Sequence, residues 1–262
     1  MRRIEKSLGG LLLLVALTYS AQRIGLLDLS RLSRGFGNLG ELVYEVLPPN
    51  PAVLPETLMA LLETIQMALV GTFIGFTLSL PLSTLGLRTI FPSIVTVPIR
   101  IVLSIIRTIP ALFWAIIYVI AVGLGPLAGT LAIATYTVGY LSKLYYEAFE
   151  SVDTEILDTL RCAGASKFSL IRFAIIPESM NALVSQLLFI FEYNIRSSAV
   201  LGFVGAGGVG FLMVNFIERL QYQSLSTTIV STLLIVLFID LASSQIRRRY
   251  LPQLQRPHMV RA

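Results

Sequence analysis

Apolar residues in this chain gather in runs too long for the helices of a water-soluble domain, and the polar residues between them come in short charged bursts. A helix that crosses a bilayer needs about twenty mostly apolar residues. Six segments meet that condition, at roughly 7–27, 57–82, 105–124, 127–146, 178–201 and 225–246. Between the first two, LDLSRLSRGFGNLGELVYEVLPPNP puts apolar residues at helical spacing and ends on Pro48, Pro49 and Pro51. That pattern predicts an amphipathic helix on the membrane surface, stopped by proline, which cannot continue a helix. The second span opens at Pro55 and Thr57, holds Glu63 and Gln66, and closes near Pro81 and Gly86. Residues 88–110 are interrupted by Pro92, Pro98 and Pro110 and carry Arg88, Arg100 and Arg107, which predicts an interfacial elbow leading into the third span. The expectation is an all-α polytopic membrane protein of about six spans. Residues 1–56 form a first helix and an extracytoplasmic amphipathic segment, 57–250 the membrane domain, and 251–262 a cytoplasmic tail.

Composition agrees with the pattern. Of 262 residues, 55% are hydrophobic and 13% charged, about half the charged fraction of soluble domains, and the mean hydropathy is +0.79. The excess of 20 basic over 15 acidic residues does not describe a nucleic-acid binder, because the charges cluster at the ends of apolar runs. Placing both termini inside puts 15 of the 20 basic residues on the cytoplasmic side, including the Arg247-Arg248-Arg249 run. This bias predicts a multi-pass protein of the cell membrane with the polar stretch 147–177 in the cytoplasm. The N-terminus has the basic start and apolar run of a signal peptide. The run passes straight into Gln22 and Arg23, so it reads as an uncleaved first helix.

The stretch 147–177 is a charged interval inside an apolar chain, with Glu147, Glu150, Asp153, Glu155, Asp158, Arg161, Lys167 and Arg172. Ile156, Leu157, Leu160, Ala163 and Ala165 give it one short apolar helical stripe. Gly164 permits a turn without side-chain interference, and Pro177 suits the first turn of the following membrane helix. Asp158-Thr159-Leu160, a three-residue gap, Gly164, then Ala174, Ile176 and Pro177 resemble the EAA loop of bacterial and archaeal ABC importer permeases. Asp158 stands for the Glu of that pattern, Thr159 and Leu160 for its two Ala, and Gly164 and Pro177 hold their places. The resemblance implies a type I, MetI-like permease core and assigns Asp158, Thr159, Leu160, Gly164, Ala165, Ser166 and Pro177 to an ATPase-coupling loop. It also implies a second copy of the chain, two cytoplasmic ABC ATPase subunits docked on the two loops, and an extracytoplasmic substrate-binding protein. In such a machine, ATP-driven closure turns the cavity from inward-facing to outward-facing.

A second stretch narrows the family. Residues 191–210, FEYNIRSSAVLGFVGAGGVG, resemble the F-E-x-N-x-R…V-L-G-x-V-G-A-G-G-x-G segment of phosphonate-type importer permeases. Residues 107–114 and 123–129 are similar to the same subfamily. The resemblance extends over about 57–250 and implies transport of phosphonate or a related small phosphorus oxyanion. Another solute of the same importer class (phosphate, phosphite, methionine-like) is the alternative, and a secondary transporter a more distant one.

Other signals limit the chemistry. Gly205, Gly207, Gly208 and Gly210 fit the letters of a dinucleotide fingerprint, but an apolar span precedes them and the next acid, Glu218, stands too close. They predict a tight re-entrant turn after the fifth span, buried in protein or lining a cavity. Glu192 and Arg196 are four apart, on one helical face, with Asn194 between them. Intramembrane charges face the bundle interior or a water-filled path, so these three residues are candidates for the translocation pathway or for a neutralised structural pair. Glu63 and Asp240 read as hydrated residues at the membrane edge. One cysteine and one histidine exclude a disulfide within the chain and a Cys/His metal cluster. No phosphate-binding loop is present, so the energy source is expected on another chain. The chain itself is expected to be no enzyme and to need no cofactor.

Overall fold

The computed structural model describes residues 2–250, with side chains from Gly9 to Ile246. The tail 251–262 and the side chains of Arg247, Arg248 and Arg249 lie outside the described residues. The chain divides into two compact units at Pro49–Asn50.

The first unit contains α1 (Arg2–Arg23) and α2 (Leu29–Glu45). Gly25 turns the chain between them with φ +77°. The Asp28 carboxylate caps α2 by accepting the Arg31 backbone N–H at 3.0 Å and the Ser30 hydroxyl at 2.6 Å. Those two bonds, the Ser30 hydroxyl first, hold the Asp28 carboxyl below its ordinary range. No residue of α2 is buried.

The second unit is a helical bundle: α3 (Leu54–Leu85), α4 (Ser93–Thr108), α5 (Ala111–Val122), α6 (Pro126–Glu150), α7 (Thr154–Cys162), α8 (Lys167–Leu170), α9 (Ile176–Leu201), α10 (Gly208–Glu218) and α11 (Tyr222–Tyr250). Among the described residues, three stretches are long and apolar enough to cross a membrane alone: Pro51–Leu85, Lys167–Val204 and Tyr222–Ile246. The expected third span, 105–124, is broken. Proline at 110 lacks an N–H and forces Ile109 into an extended conformation, so α4 and α5 meet at 87° and make one bent span at most. Residues 93–108, expected as an interfacial elbow, are a regular helix that tolerates Pro98.

Helix α6 is the centre of the bundle, packed against α3, α4, α5 and α9. Its neighbours are protein, so it can carry Tyr136, Tyr140, Lys143, Tyr145 and Tyr146 where a lipid-facing span would not. The approach of α3 to α6 depends on missing side chains. A Cβ on Gly71 would lie 2.7 Å from the Ile133 side chain, and one on Gly75 would lie 2.5 Å from that of Thr137. Small residues four apart let membrane helices touch backbone to backbone. At the other end of the sequence, α11 is fastened to the start of α3 by hydroxyls. The Thr57 and Thr228 hydroxyls are 3.2 Å apart, and Thr227 donates to the Asn50 carbonyl at 2.8 Å.

Candidate functional site

The charged stretch after α6 folds into α7, a turn, and α8, then joins α9 through a widened turn at Ile171–Ile175. Such a π-type turn re-aims a helix where regular bonding is interrupted, and Pro177, in the first turn of α9, brings no N–H where none is needed. Asp153 starts α7 by accepting the Glu155 N–H at 2.9 Å. Gly164 ends it with φ +82°. The Ala165 N–H bonds the Leu160 carbonyl at 3.0 Å and the Gly164 N–H bonds that of Arg161 at 2.9 Å. This paired arrangement closes a helix C-terminus and favours glycine at that one position. Ser166 then opens α8 by accepting the Ser169 N–H at 3.2 Å.

The apolar stripe of α7 is only partly used by this chain. Leu157 is fully buried against the core that contains Tyr145 and Phe149, Leu160 and Ala165 pack at its margin, and Ile156 is exposed. Ala163, Asp158 and Thr159 also face outward. Phe168 and Phe173, further along the segment, stand 67% and 68% exposed. The segment therefore presents an uncovered mixed surface on a firmly capped scaffold.

What holds that scaffold is a set of contacts absent from the sequence reading. The Glu150 carboxylate, at the end of α6, accepts from the Arg100 guanidinium of α4 and from the Arg88 backbone N–H. Arg100 also donates to the Gly86 carbonyl at 2.8 Å and stacks over the Tyr146 ring at 4.2 Å. The Arg100 and Glu150 side chains are only 15% and 25% exposed. Arg161 of α7 is held by Asp158 at 2.8 Å and reaches the Thr89 carbonyl at 3.0 Å. Lys167 lies over Phe91. The ends of α3, α4, α6 and α7 thus meet at one corner, residues 86–91. Arginines at 88 and 100, read as markers of sidedness, are also its fasteners.

The glycine run lies at the far end of α9. After a short 3-10 turn at Gly202–Val204, residues Gly205, Gly207 and Gly208 all take positive φ, between 72° and 84°. A Cβ on Gly210 would collide with the Ala199 carbonyl, which accounts for the fourth glycine. Glu63 of α3 accepts the Gly208 N–H at 2.8 Å and Thr64 accepts that of Val209 at 2.8 Å. Together they satisfy the orphan amides that open α10. Glu63, half-buried at a cleft, is therefore also a cap. From this point α10 runs along α3, with Phe211, Leu212 and Asn215 facing Glu56 and Met59 across a cleft of about 430 Å³. It ends where α11 begins beside Asn50, whose N–H bonds the Gln223 carbonyl. The run breaks the path of α9, and the start of α10 packs against Ala199 and Gly202 at the end of α9.

The three pathway candidates of α9 separate. Asn194 is 1% exposed and donates to the hydroxyls of Thr72 at 2.8 Å and Thr137 at 2.9 Å. Glu192 is 6% exposed. Arg196 is half-exposed, and its nearest carboxylate across helices is Asp240 of α11 at 3.8 Å. Asp240, read as a hydrated edge residue, is thus within reach of a cation. Asn194 ties α9 to α3 and α6, a role the sequence could not reveal because its partners lie far away along the chain.

Residues 83–254 match the family described as the inner membrane component of binding-protein-dependent transport systems. The putative phosphite transport system permease protein HtxC of Stutzerimonas stutzeri is 34% identical over 222 residues, 84% of this chain and 79% of that one. The phosphate-import permease protein PhnE of Mycolicibacterium smegmatis is 35% identical over 206 residues, 78% of this chain and 39% of that one. Among solved structures, the MetNI methionine ABC transporter in inward-facing conformations aligns with a TM-score of 0.68 at 21% identity, covering 76% of this chain and 98% of that one. The chain belongs to the binding-protein-dependent transport family of inner membrane components. It is a membrane-spanning permease subunit of an ABC importer.

Proposed function

We propose that this subunit forms, with a second copy of itself, the translocation pathway of an ATP-driven importer for a small phosphorus oxyanion: phosphonate, phosphite or phosphate. The observation that carries the substrate class is the one-third identity, across most of the chain, to permeases named for phosphite and phosphate import. Two ATPase subunits supply the hydrolysis and dock on the two copies of 147–177. An extracytoplasmic binding protein delivers the anion. Both termini and the coupling segment lie in the cytoplasm, a placement supported by 14 of the 20 basic residues falling on that side when Arg107 is left out.

Within the coupling segment, the exposed face of α7 (Ile156, Thr159 and Ala163) enters a cleft of the ATPase, while Leu157 and Arg161 keep the helix on the corner at 86–91. Asp158, Leu160, Gly164, Ala165, Ser166 and Pro177 fix its length and its two ends. Movement of the ATPase is thereby passed to α3, α4 and α6 together. In α9, Arg196 faces the pathway and Asn194 holds the helix that carries it, with Glu192 buried beside both. The glycine turn at Gly205, Gly207, Gly208 and Gly210 joins α9 to the extracytoplasmic end of the bundle.

The test is reconstitution. The permease is purified with its ATPase and binding protein and placed in proteoliposomes, and uptake of phosphite, phosphate, methylphosphonate and methionine is measured with and without ATP. ATP-dependent uptake of at least one phosphorus oxyanion, and no uptake of methionine, is expected. Methionine uptake in place of all three anions, or anion uptake that needs no ATP, overturns the proposal.

A further inference from the structure

Arg107 stands in the last turn of α4, beside the bend where the chain turns by 87° into α5. Its position is set by α6: a Cβ on Gly139 would fall 2.9 Å from the Arg107 backbone nitrogen. Gly139 is three residues beyond Tyr136 and next to Tyr140 on the same helix. The Tyr136 ring stacks on Tyr140, with centroids 5.8 Å apart, and on Tyr193 of α9 at 5.7 Å. Three helices therefore bring Arg107 and three phenols to one place.

Depth and exposure give the cluster its meaning. Tyr193 precedes Asn194 and Tyr136 precedes Thr137, and Asn194 bonds Thr137 and the mid-helix Thr72 of α3. The cluster consequently lies midway along the bundle, where α3 and α9 cross the bilayer. It is not sealed within the protomer, because Tyr193 is 38% exposed and Tyr136, Tyr140 and Arg107 are half-buried. The Arg107 Nε atom is buried, yet among the described residues it finds no hydrogen-bond acceptor. A buried donor left unmet costs about 1–3 kcal/mol, and a cation at mid-membrane is tolerated where it faces a polar path or a partner. Arg196, by contrast, already has Asp240 at 3.8 Å.

We propose that Arg107, with the hydroxyls of Tyr136, Tyr140 and Tyr193, is the subsite that holds the phosphorus oxyanion as it passes the middle of the membrane. A guanidinium presents parallel N–H donors that match two oxygens of a tetrahedral anion. Phenols add donors without adding charge, so the anion is held but not trapped. The stacked rings also offer an apolar wall for the carbon substituent of a phosphonate. The inference rests on the substrate class proposed above and assigns that class a binding place whose cation, Arg107, lies outside the 191–210 stretch.

The experiment uses the reconstituted complex of permease, ATPase and binding protein. Uptake of phosphite, phosphate and methylphosphonate is read alongside ATP hydrolysis stimulated by the loaded binding protein. In Arg107→Gln, uptake falls at least tenfold while stimulated hydrolysis stays within twofold of wild type, so ATP is consumed without transport. Arg107→Lys keeps the charge but not the fork and retains an intermediate rate. Tyr193→Phe keeps the stack and loses the hydroxyl, lowering uptake several-fold with hydrolysis unchanged. Uptake within twofold of wild type in Arg107→Gln overturns the subsite, as does a parallel loss of uptake and hydrolysis in an intact complex. Should Arg107→Gln not assemble, Tyr193→Phe decides by the same two readouts. A wild-type complex that imports none of the three anions overturns the substrate class itself. Normal wild-type import with silent variants overturns only the subsite.

Discussion

The Arg161 guanidinium of α7 donates to the Thr89 carbonyl oxygen at 3.0 Å, across 72 positions of sequence. One long side chain thus ties the segment proposed to meet the ATPase to the corner where α3 passes into α4. The same guanidinium is held by Asp158 at 2.8 Å, so its direction is fixed from within its own helix. Removing it leaves α7 capped and folded but loosely attached. Arg161→Ala is expected to leave ATPase docking in place and to lower the number of anions transported per ATP several-fold. Parallel measurements of uptake and hydrolysis in proteoliposomes check this, and an unchanged ratio would discard the tether as a coupling element.

The Arg100–Glu150 pair predicts a stability effect. Both side chains are mostly covered, and Glu150 also accepts the Arg88 N–H. Breaking a buried pair strands the other partner, which costs about 3–5 kcal/mol when burial is complete and less here. Arg100→Ala and Glu150→Ala are each expected to destabilise the permease by about 2–3 kcal/mol. The double variant should lose clearly less than their sum. Thermal unfolding in detergent supplies the cycle; strict additivity would mean the contact is energetically silent.

Glycine positions give a graded series. Gly75→Ala drives a methyl to 2.5 Å from the Thr137 side chain, against a neighbouring helix. Overpacking of this kind costs about 1–3 kcal/mol and also disturbs the Thr137–Asn194 bond. Gly164→Ala meets no neighbour but must adopt φ +82°, a conformation costing about 1–2 kcal/mol for a residue with a side chain. Gly35→Ala in α2 has open space and helical backbone, and a gain of a few tenths to about 1 kcal/mol follows from propensity. The order of melting temperatures, Gly35→Ala above wild type and the other two below, is the measurement.

The Glu63 cap separates charge from hydrogen bonding. Glu63→Ala strands the Gly208 N–H, and a lost cap costs about 1–2 kcal/mol. Glu63→Gln keeps an acceptor at the same place and should retain most of that stability. Equal losses in the two variants would show that the carboxylate charge, and not its acceptor oxygen, holds the turn.

Much of this molecule was legible before any folding. The apolar runs marked helical segments, three of which are long and apolar enough to cross a membrane alone among the described residues, the turn at Gly164 and the helix start at Pro177 were readable from two residues, and the motif spacing pointed to the family. The proline at 110 announced a break, but the pattern alone suggested an elbow before a full span where the chain forms two helices meeting at 87°. Gly71 and Gly75 were also a readable signal, small residues four apart in an apolar run, although they say nothing of which helix they meet.

What sequence determined by itself are properties carried by neighbouring residues: periodicity, the solvent a segment prefers, the sidedness of charge, and backbone positions that only glycine or proline suits. Tertiary structure decided the rest, because partners distant in sequence become neighbours only when helices pack. Glu63 and Gly208, 145 residues apart, became a cap. Asn194, expected beside a pathway, became a pin between three helices. Arg107, counted as one more cytoplasmic charge, has its backbone packed against Gly139 of another helix. Local chemistry fixes what each helix can do, and packing chooses which of those possibilities meet.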